Sequence, residues 1–281
     1  MDFSGILICT DLDGTLLNSS HRISQENLDA IEYFKRNGGY FTFITGRMPF
    51  YKSNLPLYDA VKPNAPIGCI NGGGVFDLGT QSYIWTQSLP RKALELVQLV
   101  HDNIPAMGYQ INAFDKVFFC RDDAVMINFR RNTGLPSLTC MLQDIDEPLA
   151  KVIFGIQCED DLQQLVALLQ SHPAAAEFDY IRSEETLYEI LPKGVGKGTV
   201  LPKLAQHLNV DPKRIIAVGD YNNDVSMLRQ AGLGIAVANA TTEAKAAADR
   251  ITVSNDEHAI ARIIADLESG LIRLPYEGAS V

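Results

Sequence analysis

Two hydrophobic periods alternate along the chain. Ile6-Leu7-Ile8-Cys9 is a short continuous apolar run of the kind that makes a buried strand, and it leads into Asp11-Leu12-Asp13-Gly14-Thr15. Leu28, Ile31 and Phe34 then recur at helical spacing, between Ser24 as a natural N-cap and Gly38-Gly39 as a natural stop. The apolar run 40–44 reads as a second strand and runs into Thr45-Gly46-Arg47. The run 66–70 reads as a third and ends in Asn71-Gly72-Gly73-Gly74. Buried strands separated by amphipathic helices predict a parallel, doubly wound α/β sheet.

The pattern changes near residue 84. A hairpin is expected over 75–87 around Gly79-Thr80, then a helix over 90–101 carrying Leu94, Val97 and Val100. Between about 105 and 130 the spacing predicts strand-like pieces rich in aromatics, namely Tyr109, Phe114, Phe118, Phe119 and Phe129. A strand over 151–158, a helix marked by Leu162, Leu165, Leu168 and Leu169, and strands over 178–182 and 186–191 follow. From Lys193 the α/β alternation resumes. A helix over 196–208, a strand over 214–218 ending in Gly219-Asp220-Tyr221-Asn222-Asn223-Asp224, a helix with Met227 and Leu228, a strand over 234–237, a helix over 242–248, a strand over 251–253 and a helix over 256–268 complete the chain. Residues 1–83 and 188–281 thus form one α/β core, and 84–187 an inserted α+β domain.

Charge narrows the partners. The formal net charge of the 281 residues is -10, which argues against nucleic acid and anionic membranes. No apolar run approaches the ~20 residues of a membrane span, and the N-terminus lacks the basic region of a signal peptide, so a cytoplasmic location is expected. The cysteines (Cys9, Cys69, Cys120, Cys140 and Cys158) are odd in number and form no Cys-x-x-Cys. Neither a disulfide framework nor a zinc site is expected. His21, His101, His172, His207 and His258 have no metal-ligand spacing.

The chemistry concentrates at strand ends, where open α/β sheets bind ligands. Asp11 and Asp13 are two carboxylates placed straight after a buried strand, an arrangement that is costly without a compensating cation or proton. Mg²⁺, a hard ion that takes oxygen ligands, is the natural compensation. Three further pieces stand at predicted element ends: Thr45-Gly46, Lys197 at a helix start, and Asp220 with Asp224. Singly, these read equally well as a helix cap, a solvated lysine and turn residues.

Together and in this order they resemble the four motifs of the haloacid dehalogenase phosphohydrolases. The stretch Leu191-Pro192-Lys193-Gly194-Val195-Gly196-Lys197-Gly198 and the Gly-Asp-x-x-Asn-Asp string resemble the Cof-type branch, in which a large α/β cap is inserted between the second and third motifs. The resemblance implies a Mg²⁺-dependent phosphatase acting on a small phosphorylated metabolite, a sugar phosphate or similar phosphomonoester. Asp11 would be the nucleophile that forms an aspartyl-phosphate, and Asp13 the acid/base. The Asp11 carboxylate, the Asp13 backbone carbonyl and Asp220 would hold the metal, with Asp224 in support. The Leu12 backbone, Thr45, Gly46, Lys197 and Asn223 would cradle the phosphoryl group, with Arg47 and Asn71 as further candidates. The inserted domain would be a mobile lid that selects the substrate; Tyr109, Asn112, Phe114 and Arg130 are candidates to touch the leaving group, against core packing or surface as the plainer reading. One departure is Ala238, where the family often has glycine before Asn239-Ala240. Alternatives are a phosphotransferase or phosphomutase on a sugar phosphate, and a non-catalytic phospho-ligand-binding protein. Response-regulator receivers share the Asp, Thr and Lys ingredients but lack Asp-x-Asp-Gly-Thr and are about half this length.

Overall fold

A computed structural model describes residues 1–134, 138 and 141–274. The chain divides into two compact units, Met1–Gly46 with Pro56–Trp85 and Gly196–Val281, and Arg47–Leu55 with Thr86–Val195.

The chain opens with β1 (Leu7–Thr10), α1 (Gln25–Arg36), β2 (Tyr40–Phe43), α2 (Leu55–Val61), β3 (Ile67–Cys69), β4 (Gly74–Asp77) and β5 (Ser82–Thr86). The insert supplies α3 (Ala93–Asn103), β6 (Tyr109–Ala113), β7 (Val117–Arg121), α4 (Ala124–Thr133), β8 (Leu149–Gly155), α5 (Glu159–Ser171), β9 (Phe178–Glu184) and β10 (Leu187–Pro192). The return adds α6 (Val200–Leu208), β11 (Ile215–Gly219), α7 (Val225–Gln230), β12 (Leu233–Ala236), α8 (Thr242–Ala247), β13 (Arg250–Ile251) and α9 (Ala259–Glu268).

The first unit is built on a parallel sheet in the order β13-β12-β11-β1-β2. β1 is buried along its whole length, as expected of a parallel strand covered on both faces. Ser24 caps α1 by accepting the Asn27 N–H. α1 buries Ile31 and Phe34, and α9 buries Ile260, Ile263 and Ile264, in the same core as β1 and β2. The third strand departs from the simple alternation. β3 meets the parallel sheet through one bridge, Ile44 with Gly68, and then turns back into an antiparallel pairing with β4 in a sheet ordered β3-β4-β5. The reversal is made by three consecutive residues of positive φ, Ile70 (58°), Asn71 (50°) and Gly72 (97°).

The second unit is a five-stranded antiparallel sheet, β7-β6-β8-β10-β9. Leu96, Val97 and Val100 of α3 and Leu165 and Leu169 of α5 share an apolar core with Tyr109, Ile111, Val152, Phe154 and Ile190. Strand alternation sends Gln110, Asn112, Lys151 and Ile153 to the other face, where Met126 of α4 packs on Ile153 and Leu187. Phe129 lies on this helix, not on a strand. Asp123 caps its start by accepting the Met126 N–H at 2.7 Å, and Gly134 ends it in the left-handed conformation. Cys9 and Cys69 are buried, and among the described residues no disulfide forms; Cys140 lies outside them. Among the described residues, no helix is long and apolar enough to cross a membrane.

Candidate active site

Parallel register brings the first, second and fourth motifs together. Thr10 pairs with Phe43 on one side and with Val218 on the other. The next residues along all three strands, Asp11, Ile44-Thr45 and Gly219-Asp220, therefore emerge side by side at the carboxyl edge. The Asp11 N–H donates to Val218 O at 2.9 Å, and the Ile44 N–H to Thr10 O at 2.9 Å. Beyond Asp11 the chain winds through Leu12–Leu16, leaving helical geometry at Asp13 (φ −77°, ψ 123°) and Gly14 (φ 77°, ψ −5°). Only glycine suits that point: a Cβ on Gly14 would stand 2.4 Å from Oδ2 of Asp220. The Gly14 carbonyl accepts Nδ2 of Asn239 at 2.8 Å, so the Asn239 loop braces the first motif.

Lys197 enters from the turn ahead of α6. Its Nζ lies 2.7 Å from Asp11 Oδ1 and 2.6 Å from Asp224 Oδ1, and the lysine is 1% exposed. Asp224 is wholly buried, and its Oδ2 accepts the N–H groups of Asp220 (2.9 Å) and Tyr221 (3.0 Å). Asp220 Oδ1 accepts the Thr15 hydroxyl at 2.6 Å, a contact whose donor already stands in the first motif. Thr45 is buried, with its N–H on Gly68 O at 3.0 Å. Leu12 is buried in the apolar core, and Asp13 is partly exposed. Asn223 is buried and donates Nδ2 to Asn71 Oδ1 at 3.1 Å.

Too many acids share too little positive charge. Burial pushes the Asp11 carboxyl well above the usual carboxylate range; Lys197 opposes this, while Asp224, Asp220 and Asp13 add to it. Burial and the Asp224 carboxylate push Asp220 up to about 6. Burial works against the Lys197 ammonium, yet Asp11 and Asp224 hold it above the usual lysine value. Asp11, Asp220 and Asp224 can bring one oxygen each within 4.8 Å of one another. An all-oxygen set with surplus negative charge fits a hard divalent cation.

The remaining candidates belong to the second unit. Arg47 belongs to the second unit and donates to Asn54 Oδ1 at 3.1 Å. Tyr109 is fully buried in the insert core, its hydroxyl 2.6 Å from Nδ1 of His101. Asn112 is buried, its Oδ1 accepting Nε2 of Gln110 at 2.8 Å. Phe114 is half-buried. Arg130 pairs with Asp122 at 2.8 Å and lies over the Phe119 ring. A buried pair that the sequence reading passes over, Lys151 with Glu189, stands on β8 and β10.

Residues 8–264 match the family model of the haloacid dehalogenase-like hydrolases. The chain is similar to two 5-amino-6-(5-phospho-D-ribitylamino)uracil phosphatases of Bacillus subtilis (strain 168). It is 28% identical to YitU, covering 95% of this chain and 98% of that one, and 31% identical to YwtE, covering 94% and 98%. Among solved structures, a haloacid dehalogenase-like hydrolase from Bacteroides thetaiotaomicron superposes with a TM-score of 0.80 at 26% identity, over 93% of this chain and 99% of that one. A subclass IIB sugar phosphatase shares the fold at a TM-score of 0.82 and 20% identity, over 95% and 100%. The chain belongs to the haloacid dehalogenase-like hydrolases, in their Cof-type branch with a cap domain, and is an enzyme of the phosphatase kind.

Proposed function

We propose that this enzyme is a Mg²⁺-dependent phosphatase that hydrolyses a small phosphomonoester through an aspartyl-phosphate at Asp11. The observation that carries the reading is the set of buried Asp11 and Asp224 and partly buried Asp220 around the ammonium of Lys197. Such a set costs stability without a ligand and becomes favourable when a cation and a phosphoryl group complete it.

When bound, Mg²⁺ would be held by the Asp11 and Asp220 carboxylates and the Asp13 carbonyl, and would supply positive charge opposite the phosphoryl oxygens. Asp224 already spends Oδ2 on two backbone N–H groups and Oδ1 on Lys197, which suits it to orienting the set. A carboxylate oxygen of Asp11 attacks phosphorus in line as the bond to the leaving oxygen breaks. Asp13 gives the leaving oxygen its proton. The alkoxy group departs as an alcohol, and Asp13, now ionised, takes a proton from the incoming water. The water oxygen bonds to phosphorus, the Asp11–phosphoryl bond breaks, and inorganic phosphate is released. Lys197 offsets charge on Asp11 and the phosphoryl group, while Thr45, the Gly46 N–H, the Leu12 backbone and Asn223 bind its oxygens.

Substrate choice falls to the insert. Support comes from its sheet, which sets buried Gln110 and Asn112 apart from its apolar core, and from the named relatives, whose substrate carries a phosphorylated ribityl chain. The test is phosphate release with Mg²⁺ across a panel of 5-amino-6-(5-phospho-D-ribitylamino)uracil, hexose phosphates, pyridoxal phosphate and nucleotides, for the whole chain and for a chain with residues 86–195 replaced by a short loop. One or a few sugar-like esters should dominate for the whole chain, and the shortened chain should retain slow turnover of acetyl phosphate without discrimination. No release from any ester by the whole chain would overturn the reading.

A further inference from the structure

We infer that Asn71 is a positioning residue of the phosphoryl site, acting through Asn223. The inference rests on the phosphatase reading of that site. Ile70, Asn71 and Gly72 all have positive φ. Ile70 is fully buried, and a β-branched residue in the left-handed region is a genuine outlier, of the sort that persists where surrounding structure dictates it.

What dictates it is the meeting of four loops. The Asn71 N–H donates to Thr45 O at 3.1 Å. A Cβ on Gly46 would stand 2.9 Å from Asn71 Oδ1, so the carboxamide lies against the second motif. Gly72 passes the lysine loop so closely that a Cβ there would fall 1.9 Å from Gly196 O. Asn71 Oδ1 takes Nδ2 of Asn223, from the fourth motif, at 3.1 Å.

Among the described residues, that last bond is the single tether on the Asn223 side chain. Asn223 is 7% exposed, and its Oδ1 is buried without a partner. Without Asn71, nothing among the described residues fixes which way this carboxamide faces. A group that binds the phosphoryl region must be preorganised to contribute fully in the transition state.

Asn71→Gly is the clean probe, because glycine keeps the left-handed backbone without strain and removes only the carboxamide. We expect an unchanged Tm and a fall in kcat/KM of between about 10- and 100-fold. In an Asn223→Ala background, where there is no carboxamide left to orient, the same substitution should change kcat/KM by less than about twofold. The pair is also read without turnover: the Asn223 side-chain NH₂ signals of ¹⁵N-labelled protein, identified by their loss in Asn223→Ala, should shift in Asn71→Gly. Unchanged kinetics, losses that multiply in the double variant, or unshifted Asn223 signals would each overturn the inference. A wild-type enzyme that releases no phosphate would instead refute the phosphatase reading, and the amide signals would still decide whether Asn71 holds Asn223.

Discussion

Among the described residues, each unit buries one lysine among carboxylates, and the two arrangements differ in balance. Lys151 on β8 reaches both oxygens of Glu189 on β10, at 2.8 and 3.0 Å, and Ser183 donates to the same carboxylate at 2.6 Å; both charged residues are 2% exposed. Within this pair, one ammonium is matched by one carboxylate. Lys197 is equally buried, but it faces Asp11 and Asp224 directly, with Asp220 completing the set. A balanced buried pair is already satisfied and asks only to be left intact. An unbalanced one keeps an appetite for positive charge, which separates a binding site from a structural strut although both look alike as salt bridges.

The comparison breaks first at Asp11. Asp11→Asn should lower phosphate release by on the order of 10³-fold or more, while Tm in EDTA stays at or above that of the wild type, because a surplus carboxylate has been neutralised. Steady-state assays and thermal melts read both halves, and a large loss of Tm would mean that the cluster is a strut after all. Asp13→Asn tests the proton inventory of the same site. Alkyl phosphates should lose about 10²- to 10⁴-fold, and p-nitrophenyl phosphate much less, because its leaving group departs without a proton. Equal losses on both esters would remove Asp13 from the acid role.

The balanced pair should respond in the opposite sense. Glu189→Gln strands the Lys151 charge and should cost about 3–5 kcal/mol in urea unfolding, whereas Lys151→Met combined with Glu189→Leu should recover most of it. The smallest expected effect is in pH. Asp220 is pushed up to about 6, so between its ordinary value and about 6 the native state holds a proton that the unfolded chain has released. In EDTA, wild-type stability should therefore fall relative to Asp220→Asn as pH rises through that window. The gap should level off above about pH 6 at no more than about 3 kcal/mol, roughly two units at ~1.4 kcal/mol each, and close below about pH 4. Adding Mg²⁺ should shrink it at high pH. A flat difference across the window would deny that Asp220 carries surplus charge.

The sequence makes the first unit legible because parallel strands buried on both faces leave continuous apolar runs, and acids at their ends stand out against them. β1, with Asp11 after it, and β11, with Asp220 after it, are read this way. The reversal at Ile70 and Asn71 is hidden, since an isoleucine carries no signal for a left-handed backbone; only the glycines that follow hint at a turn. α4 is hidden as well, because Phe129 sits among aromatic strands and its cap, Asp123, looks like any surface acid. Lys151 is the instructive case. A lysine inside the apolar strand 149–155, all of it buried, announces a buried partner, but Glu189 lies on another strand and only the sheet order makes them neighbours.

The insertion also orders events in time. Strands β6 to β10 find all their sheet partners within 109–192, so this sheet can close while the chain is still being made. β1 pairs with β2, nearby in sequence, but its other neighbour is the distant β11, with Thr10 beside Val218. Non-local parallel pairing of this kind is slow to form. Until it does, Asp11 has neither Lys197 nor Asp220 near it and is an ordinary hydrated carboxylate. The crowding of charge around Asp11 thus waits on the pairing of β1 with β11, when the sheet is in place to bear it.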